Sequence, residues 1–293
     1  MKSEKPECQL IGAGRAGKAI SIAMSEAGYR FTWIGSHRLG DASALAVRTG
    51  TSGYGVKFDG FQGKAGFLIL AVPDDTIADA SSDAVKAGCI GQTTVVAHLS
   101  GALGSDTLDS ARREGAAVMA FHPAQSITAD SDPRNVFKSI CFDMEGDDDA
   151  CNLGKRVAED LGAESVRLNP EARILSHLAM TVASNYTVSL MRMAEEIMSA
   201  AGIPEDTARK MLIPLFSTTA GNISSEGTLN ALTGPVSRGD SEIIQKHISA
   251  LQKLRDDYRK LYSGLADIAV KLSIERGDIS EMKAEEIRKL LGG

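Results

Sequence analysis

The sequence predicts an α/β domain built on a parallel sheet, followed by an all-helical domain. Three observations carry the prediction. Glycines with the spacing G-x-G-x-x-G (Gly12, Gly14, Gly17) stand between an apolar strand and a helix. Further short apolar segments alternate with helical stretches up to about residue 168. Beyond that point no strand pattern recurs. Near-continuous apolar strands separated by helices imply a parallel sheet covered on both faces.

The first strand is Cys8-Gln9-Leu10-Ile11, running directly into the glycines. Gly12 makes the tight turn, Gly14 lets backbone approach a pyrophosphate, and Gly17 lets the helix pack closely on the strand. That helix carries Ala19, Ile20, Ile22 and Ala23 and stops at Gly28, before a second strand at Phe31-Thr32-Trp33-Ile34. Strand, glycine turn, helix, strand is the setting in which this spacing means a dinucleotide site of the Rossmann type. The first helical residues, Arg15 and Ala16, bring free N–H groups and a positive dipole end to the phosphates. An NAD site carries an acidic residue at the end of the second strand. Here that position reads Gly35-Ser36-His37-Arg38, with no carboxylate to repel a 2′-phosphate. A hydroxyl, an imidazole and a guanidinium are available to bind one, so the expected cofactor is NADP(H).

Further strands are expected at 66–72, 93–98, 117–121 and 139–144, then a helix at 149–161 and a short strand at 165–168. The ligand is expected beyond the carboxyl ends of these strands. Asn169-Pro170 opens the second domain, giving domains of 1–168 and 169–293. Residues 171–201 contain neither Gly nor Pro, which predicts one helix about 45 Å long, closed by Gly202 at C′. Ile203-Pro204 starts another helix, which Pro214 is expected to kink. Asp240 or Ser241 caps a helix to about Lys253, and residues 281–290 form a solvated helix.

Composition excludes other classes. A net charge of −6 argues against nucleic-acid binding. No apolar run approaches the roughly 18 residues of a membrane span, and residues 1–7 are polar, without a signal-peptide core. The four cysteines form no CxxC and no metal-ligand spacing. They read as reduced thiols in a cytoplasmic protein, and no metal is expected.

Several segments carry candidate chemistry. Val72 and Pro73 end a buried strand beside the cofactor, and Asp74 or Asp75 is expected to cap the next helix. Ser100 follows a strand ending in His98 and is a candidate to hydrogen-bond substrate, whereas His98 reads rather as a satisfied strand-end residue. His122 ends the next strand, held extended by Pro123, and its imidazole can shuttle a proton. On the long helix, Arg173, His177, Thr181, Ser184 and Asn185 form one polar stripe on an otherwise apolar surface. A buried helix with that line facing a cleft is expected, with a seam between helices or subunits as the alternative. Arg238, in the loop Thr233-Gly234-Pro235-Val236-Ser237-Arg238-Gly239-Asp240, can grip a substrate carboxylate.

Together, the glycine loop, Val72-Pro73-Asp74-Asp75, the segment from Ser100 to Ser105, Phe121-His122-Pro123, Ser184-Asn185-Tyr186 and the Arg238 loop resemble the bacterial Rossmann-like proteins with a DUF2520 C-terminal domain. The resemblance covers almost the whole chain. It implies the layout of 6-phosphogluconate dehydrogenase-like enzymes, similar to ketopantoate reductase, pyrroline-5-carboxylate reductase and the F420-dependent NADP oxidoreductases. Ketopantoate is the leading substrate it implies. Ser100 and His122-Pro123 also resemble, by analogy, the substrate-serving serine and His-Pro of prephenate dehydrogenase. One departure stands out: the family pattern has Lys and Tyr before the helix histidine, where this chain has Arg173 and Ser176. Arginine stays protonated and cannot donate a proton in turnover.

The expected protein is therefore an NADP(H)-dependent reductase of a small oxo acid or imine, with hydride transfer between the domains. His122 is the first choice as acid and His177 the second. Ser100 and Asn185 polarise the substrate, while Arg238, Ser184 and Arg173 bind it. The helical domain is expected to form a homodimer. The alternatives are an NADP-binding sensor or scaffold without turnover, and an oxidoreductase using the deazaflavin F420 as hydride partner.

Overall fold

The computed structural model describes residues 4–292; positions 1–3 of the polar N-terminal stretch, and residue 293, lie outside the described residues. The chain divides into two compact units, one running to Ser184 and one from Asn185.

The first unit is built on eight strands: β1 (Cys8–Ile11), β2 (Phe31–Ser36), β3 (Gly53–Val56), β4 (Phe67–Leu70), β5 (Val95–His98), β6 (Ala117–Pro123), β7 (Cys141–Gly146) and β8 (Glu164–Arg167). They form one sheet in the order β3-β2-β1-β4-β5-β6-β7-β8. The strand order reverses between β1 and β4, the position at which open α/β sheets leave a ligand crevice. Both faces are covered. Leu10, Phe67 and Ile69 pack on one side with Ile20 of α1 (Arg15–Glu26), Leu45 of α2 (Leu39–Thr49) and Leu153 of α5 (Asp148–Asp160). Ile11, Leu68, Leu70 and Val96 pack on the other with Ile77 and Ala84 of α3 (Ile77–Lys86) and Ala111 of α4 (Asp109–Arg113). Burial on both faces is why β1 and β4 read as continuous apolar runs.

Two features of the sheet differ from the expectation. It is not wholly parallel: β7 runs antiparallel to β6, and β8 then runs parallel to β7. The strand β3 is an addition at the edge. Its sequence, Gly53-Tyr54-Gly55-Val56, lacks the usual strand composition because the Trp33 ring lies against it. A Cβ on Gly55 would lie 2.7 Å from that ring and 2.4 Å from the Asp59 carbonyl oxygen.

The helix α6 (Pro170–Ala183) starts as expected, with the Asn169 side chain accepting from the Ala172 N–H at 2.7 Å and Pro170 at its first position. It does not continue to residue 201. Ser184 has φ −107° and ψ −68°, and a separate helix, α7 (Asn185–Ala200), begins after it. Ser and Asn side chains compete with the backbone for hydrogen bonds, so this pair is a weak point in a helix. Nor is the predicted long helix buried. Ile174, Leu175, Leu178, Val182 and Val188 are all more than half exposed, while the polar Arg173 is 2% exposed.

The second unit is helical throughout its described residues: α7, α8 (Glu205–Ala231), α9 (Ser241–Leu254), α10 (Asp256–Arg276) and α11 (Glu281–Leu291). Gly202, with φ +79°, follows α7. The helical dihedrals of α8 are interrupted at Gly227, with φ +77°, and not at Pro214. Asp240 caps α9, its Oδ1 accepting from the Ile243 N–H at 3.1 Å. The tail helix α11 is not simply solvated: Ala284, Ile287 and Leu291 pack with Ile244, Ile248 and Val270 in this unit's own core. Among the described residues, no helix is long and apolar enough to cross a membrane. All four cysteines are free, and burial pushes the Cys8 thiol up to about 12.

Candidate active site

The carboxyl ends of β1, β2 and β4 enclose a cavity of 510 Å³. Its floor is the glycine turn. Gly12 has φ +109°, and a Cβ there would lie 2.2 Å from the Ala71 carbonyl oxygen. A Cβ on Gly17 would lie 1.9 Å from the Gly12 carbonyl oxygen and 3.1 Å from the Ala71 Cβ, so helix α1 sits directly on the turn. Gly14 is different. A Cβ there would meet nothing within 4 Å, so its small size serves neither packing nor a left-handed turn. It keeps the backbone accessible at the start of α1, where the N–H groups and dipole favour an anion. No acidic side chain stands in the first turn of α1, and Arg15 there is exposed. These features fit the pyrophosphate of a dinucleotide.

Val72 and Pro73 line the same cavity, as do Ser36 and His37. Arg38 is exposed, follows them at the start of α2, and is not among the lining residues. Four charged residues line this cavity that the strand-end position alone did not reveal: Asp41, Lys57, and Asp79 and Asp83 of α3. Asp41, in the first turn of α2, lines the cavity, so a carboxylate is present after all. Lys57, just past β3, lines it too, with its Nζ 2.8 Å from Asp83 Oδ2 on α3. The Asp83 hydrogen bond raises the Lys57 pKa.

The other strand ends divide into structural and free groups. His98 is fully buried: its Nδ1 accepts from the Ser100 N–H at 3.2 Å, and its Nε2 meets the Gly104 carbonyl at 3.0 Å. Desolvation pushes its pKa down to about 4, which keeps the ring neutral. Ser100 is also committed. Its hydroxyl donates to Asp74 Oδ2 at 2.9 Å and accepts from the N–H groups of Ala102 and Leu103 at 3.2 and 3.1 Å. In this arrangement the hydroxyl hydrogen is taken by Asp74, and Ser100 holds the turn. Asp74 correspondingly does not cap α3; it anchors Ser100.

His122 and His177 come together. Their rings are 6.2 Å apart in an edge-to-face arrangement. Gly101 abuts both: a Cβ there would lie 2.7 Å from His177 Nδ1 and 3.0 Å from His122 Nε2. Any larger residue would displace the pair. His177 Nδ1 is buried and has no hydrogen-bond partner. His122 Nδ1 lies 2.8 Å from Asp143 Oδ2, and Asp143 is directly opposite His122 in the antiparallel β6–β7 register. Asp143, like Asp41 and Lys57, is not singled out by the sequence. A lone carboxylate within Cys141-Phe142-Asp143-Met144 was the available signal, since a carboxylate in an apolar strand needs a partner.

Arg173 is committed to the protein. It is 2% exposed, and protein groups take its donors: Nη1 donates to Asp143 Oδ1 at 2.8 Å, Nε to the Leu103 carbonyl at 2.5 Å, and Nη2 to the Ser100 carbonyl. Thr181 on the same stripe is half-buried, and Ser184 is exposed at the end of α6. Asn185 and Arg238 belong to the second unit, where both are exposed. Among the described residues, no group of three or more His, Cys, Asp or Glu is arranged to hold a metal ion.

Comparison with solved structures identifies similar folds over nearly the full chain. Protein BF3122 of Bacteroides fragilis, provisionally assigned as an NADP oxidoreductase, is 22% identical, with a TM-score of 0.74 over 91% of this chain and 98% of its own. Protein TM1727 of Thermotoga maritima is 24% identical, with a TM-score of 0.69 over 96% and 99%. A pyrroline-5-carboxylate reductase of Coxiella burnetii is 15% identical, with a TM-score of 0.60 over 93% and 98%. No curated protein matches. Residues 1–123 match the model of a Rossmann-like domain, and residues 140–268 match that of a domain of unknown function, DUF2520. The chain is thus a Rossmann-like protein carrying a DUF2520 domain.

Proposed function

We propose that this chain is an NADP(H)-dependent reductase of a small imine or oxo acid. One observation carries the reading: a continuous path within the first unit links the glycine-lined cavity to the histidine pair. Pro73 lines the cavity, the adjacent Asp74 holds Ser100, and Gly101 beside it abuts both His122 and His177. Fold similarity to a provisionally assigned NADP oxidoreductase and to a pyrroline-5-carboxylate reductase supports this class of chemistry.

When bound, the dinucleotide supplies the hydride. Gly12 and Gly14, with the N–H groups of Arg15 and Ala16, would hold its pyrophosphate, Gly17 would keep α1 seated on that turn, and Val72 and Pro73 would line the site. Ser36, His37, Arg38 and Lys57 would hold the 2′-phosphate against the repulsion of Asp41, Asp79 and Asp83, the last of which pairs with Lys57. His122 would supply a proton to the substrate heteroatom, with His177, whose Nδ1 is buried and unpartnered, beside it. Both cyclic imino acids and ketopantoate-like oxo acids meet this requirement. The exposed apolar side chains of α6 and α8, among them Leu175, Leu178, Ile213 and Leu215, favour a homodimer in which a second copy covers them.

Titration with NADPH and NADH, followed by nicotinamide fluorescence, tests the cofactor. The expected result is tighter NADPH binding, which Arg38→Ala weakens by about 1–3 kcal/mol while leaving NADH nearly unchanged. Equal losses for both would remove the 2′-phosphate assignment. Failure to bind either would favour a sensor or scaffold lacking this cofactor.

A further inference from the structure

The side chain on the far side of Asp143 determines which nitrogen of His122 is available to substrate. Arginine carries five N–H donors and no acceptor. The Asp143 oxygen facing Arg173 Nη1 must therefore accept, and the guanidinium is held there by two further bonds, to the carbonyls of Leu103 and Ser100. The pair is deeply buried, with side-chain exposures of 2% for Arg173 and 5% for Asp143, so no solvent competes for either group. The second oxygen of the same carboxylate lies 2.8 Å from His122 Nδ1. A carboxylate can only accept there, so Nδ1 carries the hydrogen in the neutral ring. Nε2, on the side of Gly101 and His177, is then left without one.

We propose that Arg173 and Asp143 are positioning residues that fix the His122 tautomer and make Nε2 the nitrogen that exchanges its proton with substrate. This rests on the reading of His122 as the proton donor and adds which atom acts and what selects it. It also gives a role to the arginine that stands where the family pattern has lysine. That arginine touches no substrate and acts through the carboxylate.

The arrangement makes an unusual prediction for the nearly isosteric change Asp143→Asn. Because Arg173 still demands an acceptor, the amide oxygen must turn toward it, and the amide N–H₂ then faces His122 Nδ1. A donor aimed at Nδ1 forces the hydrogen onto Nε2. One amide should therefore reverse the tautomer without emptying the site.

The test is a long-range proton–nitrogen correlation spectrum of the full chain, labelled with nitrogen-15 in its histidine rings, at a pH above the His122 titration. His122→Asn identifies the signals. In the wild-type chain Nδ1 should appear protonated and Nε2 bare; in Asp143→Asn the two should exchange classes, and NADPH turnover should fall about 10²–10⁴-fold. Arg173→Lys, which keeps a cationic donor against Asp143, should retain the wild-type tautomer. A wild-type His122 protonated on Nε2 when neutral would overturn the proposal without any variant having to fold, as would an unchanged tautomer in Asp143→Asn. If the tautomers behave as stated but His122→Asn turns over normally, the positioning stands and the proton-donor reading falls.

Discussion

Replacing His98 tests whether that ring is a structural part of the turn from Ser100 to Gly104. The ring is fully buried and bonded on both nitrogens, and burial pushes its pKa from an ordinary 6.5 to about 4. At roughly 1.4 kcal/mol per pH unit, that difference corresponds to about 3 kcal/mol. The folded pKa is the lower one, so in the window between these two values the unfolded chain binds a proton that the native ring refuses. Stability is complete above the unfolded value and falls as pH drops toward the folded one. Between about pH 7.5 and 5 the expected loss from this group is about 2 kcal/mol. Urea unfolding at both pH values, on the wild type and on His98→Gln, reads it directly. The variant retains an amide donor and acceptor but nothing that titrates, so its stability should fall less on acidification, by about 2 kcal/mol. Equal falls in both proteins would refute the argument, because they would mean that the ring takes up a proton in the native state.

Other substitutions separate the remaining roles. Gly17→Ala places a Cβ 1.9 Å from a backbone oxygen and should cost about 1–3 kcal/mol of stability. Gly14→Ala has open space and should leave thermal stability within about 0.5 kcal/mol while sharply weakening dinucleotide binding. Arg173→Met abandons the buried Asp143 and two carbonyls and should lower unfolding stability by about 3–5 kcal/mol. Lys57→Met should weaken NADPH more than NADH by about 1–3 kcal/mol, whereas Asp83→Asn, which releases Lys57, should strengthen NADPH.

The glycine turn was legible because its three glycines answer three separate constraints, and only Gly12 needs a left-handed backbone. Six of the strands were legible as apolar runs, since both sheet faces are buried there; the seventh, β8, is largely exposed and was legible only from its place after α5. The direction of β7 was not, because an antiparallel strand covered on both faces has the same composition as a parallel one. With that direction hidden, the Asp143–His122 pairing was hidden as well, although both residues were visible in the sequence. The edge strand β3 escaped because contact with Trp33 selects glycine there, against strand propensity. Arg173 read as a ligand because arginine is seldom fully buried; only the packing of α6 against the turn from Ser100 to Leu103 reveals its use. Asp41 was missed because the charge count stopped at the strand end, while the helix carries it back over the cavity.

The central claim is that hydride leaves a dinucleotide held by the glycine turn while His122 supplies a proton. The most direct measurement follows nicotinamide absorbance on mixing NADPH-loaded protein with cyclic imino acids and ketopantoate-like oxo acids, for the wild type and His122→Asn. The account predicts oxidation of NADPH by at least one substrate in the wild type, slowed about 10²–10⁴-fold in the variant with cofactor binding intact. Tight NADPH binding with no oxidation by any of them, or equal rates in both proteins, would contradict it.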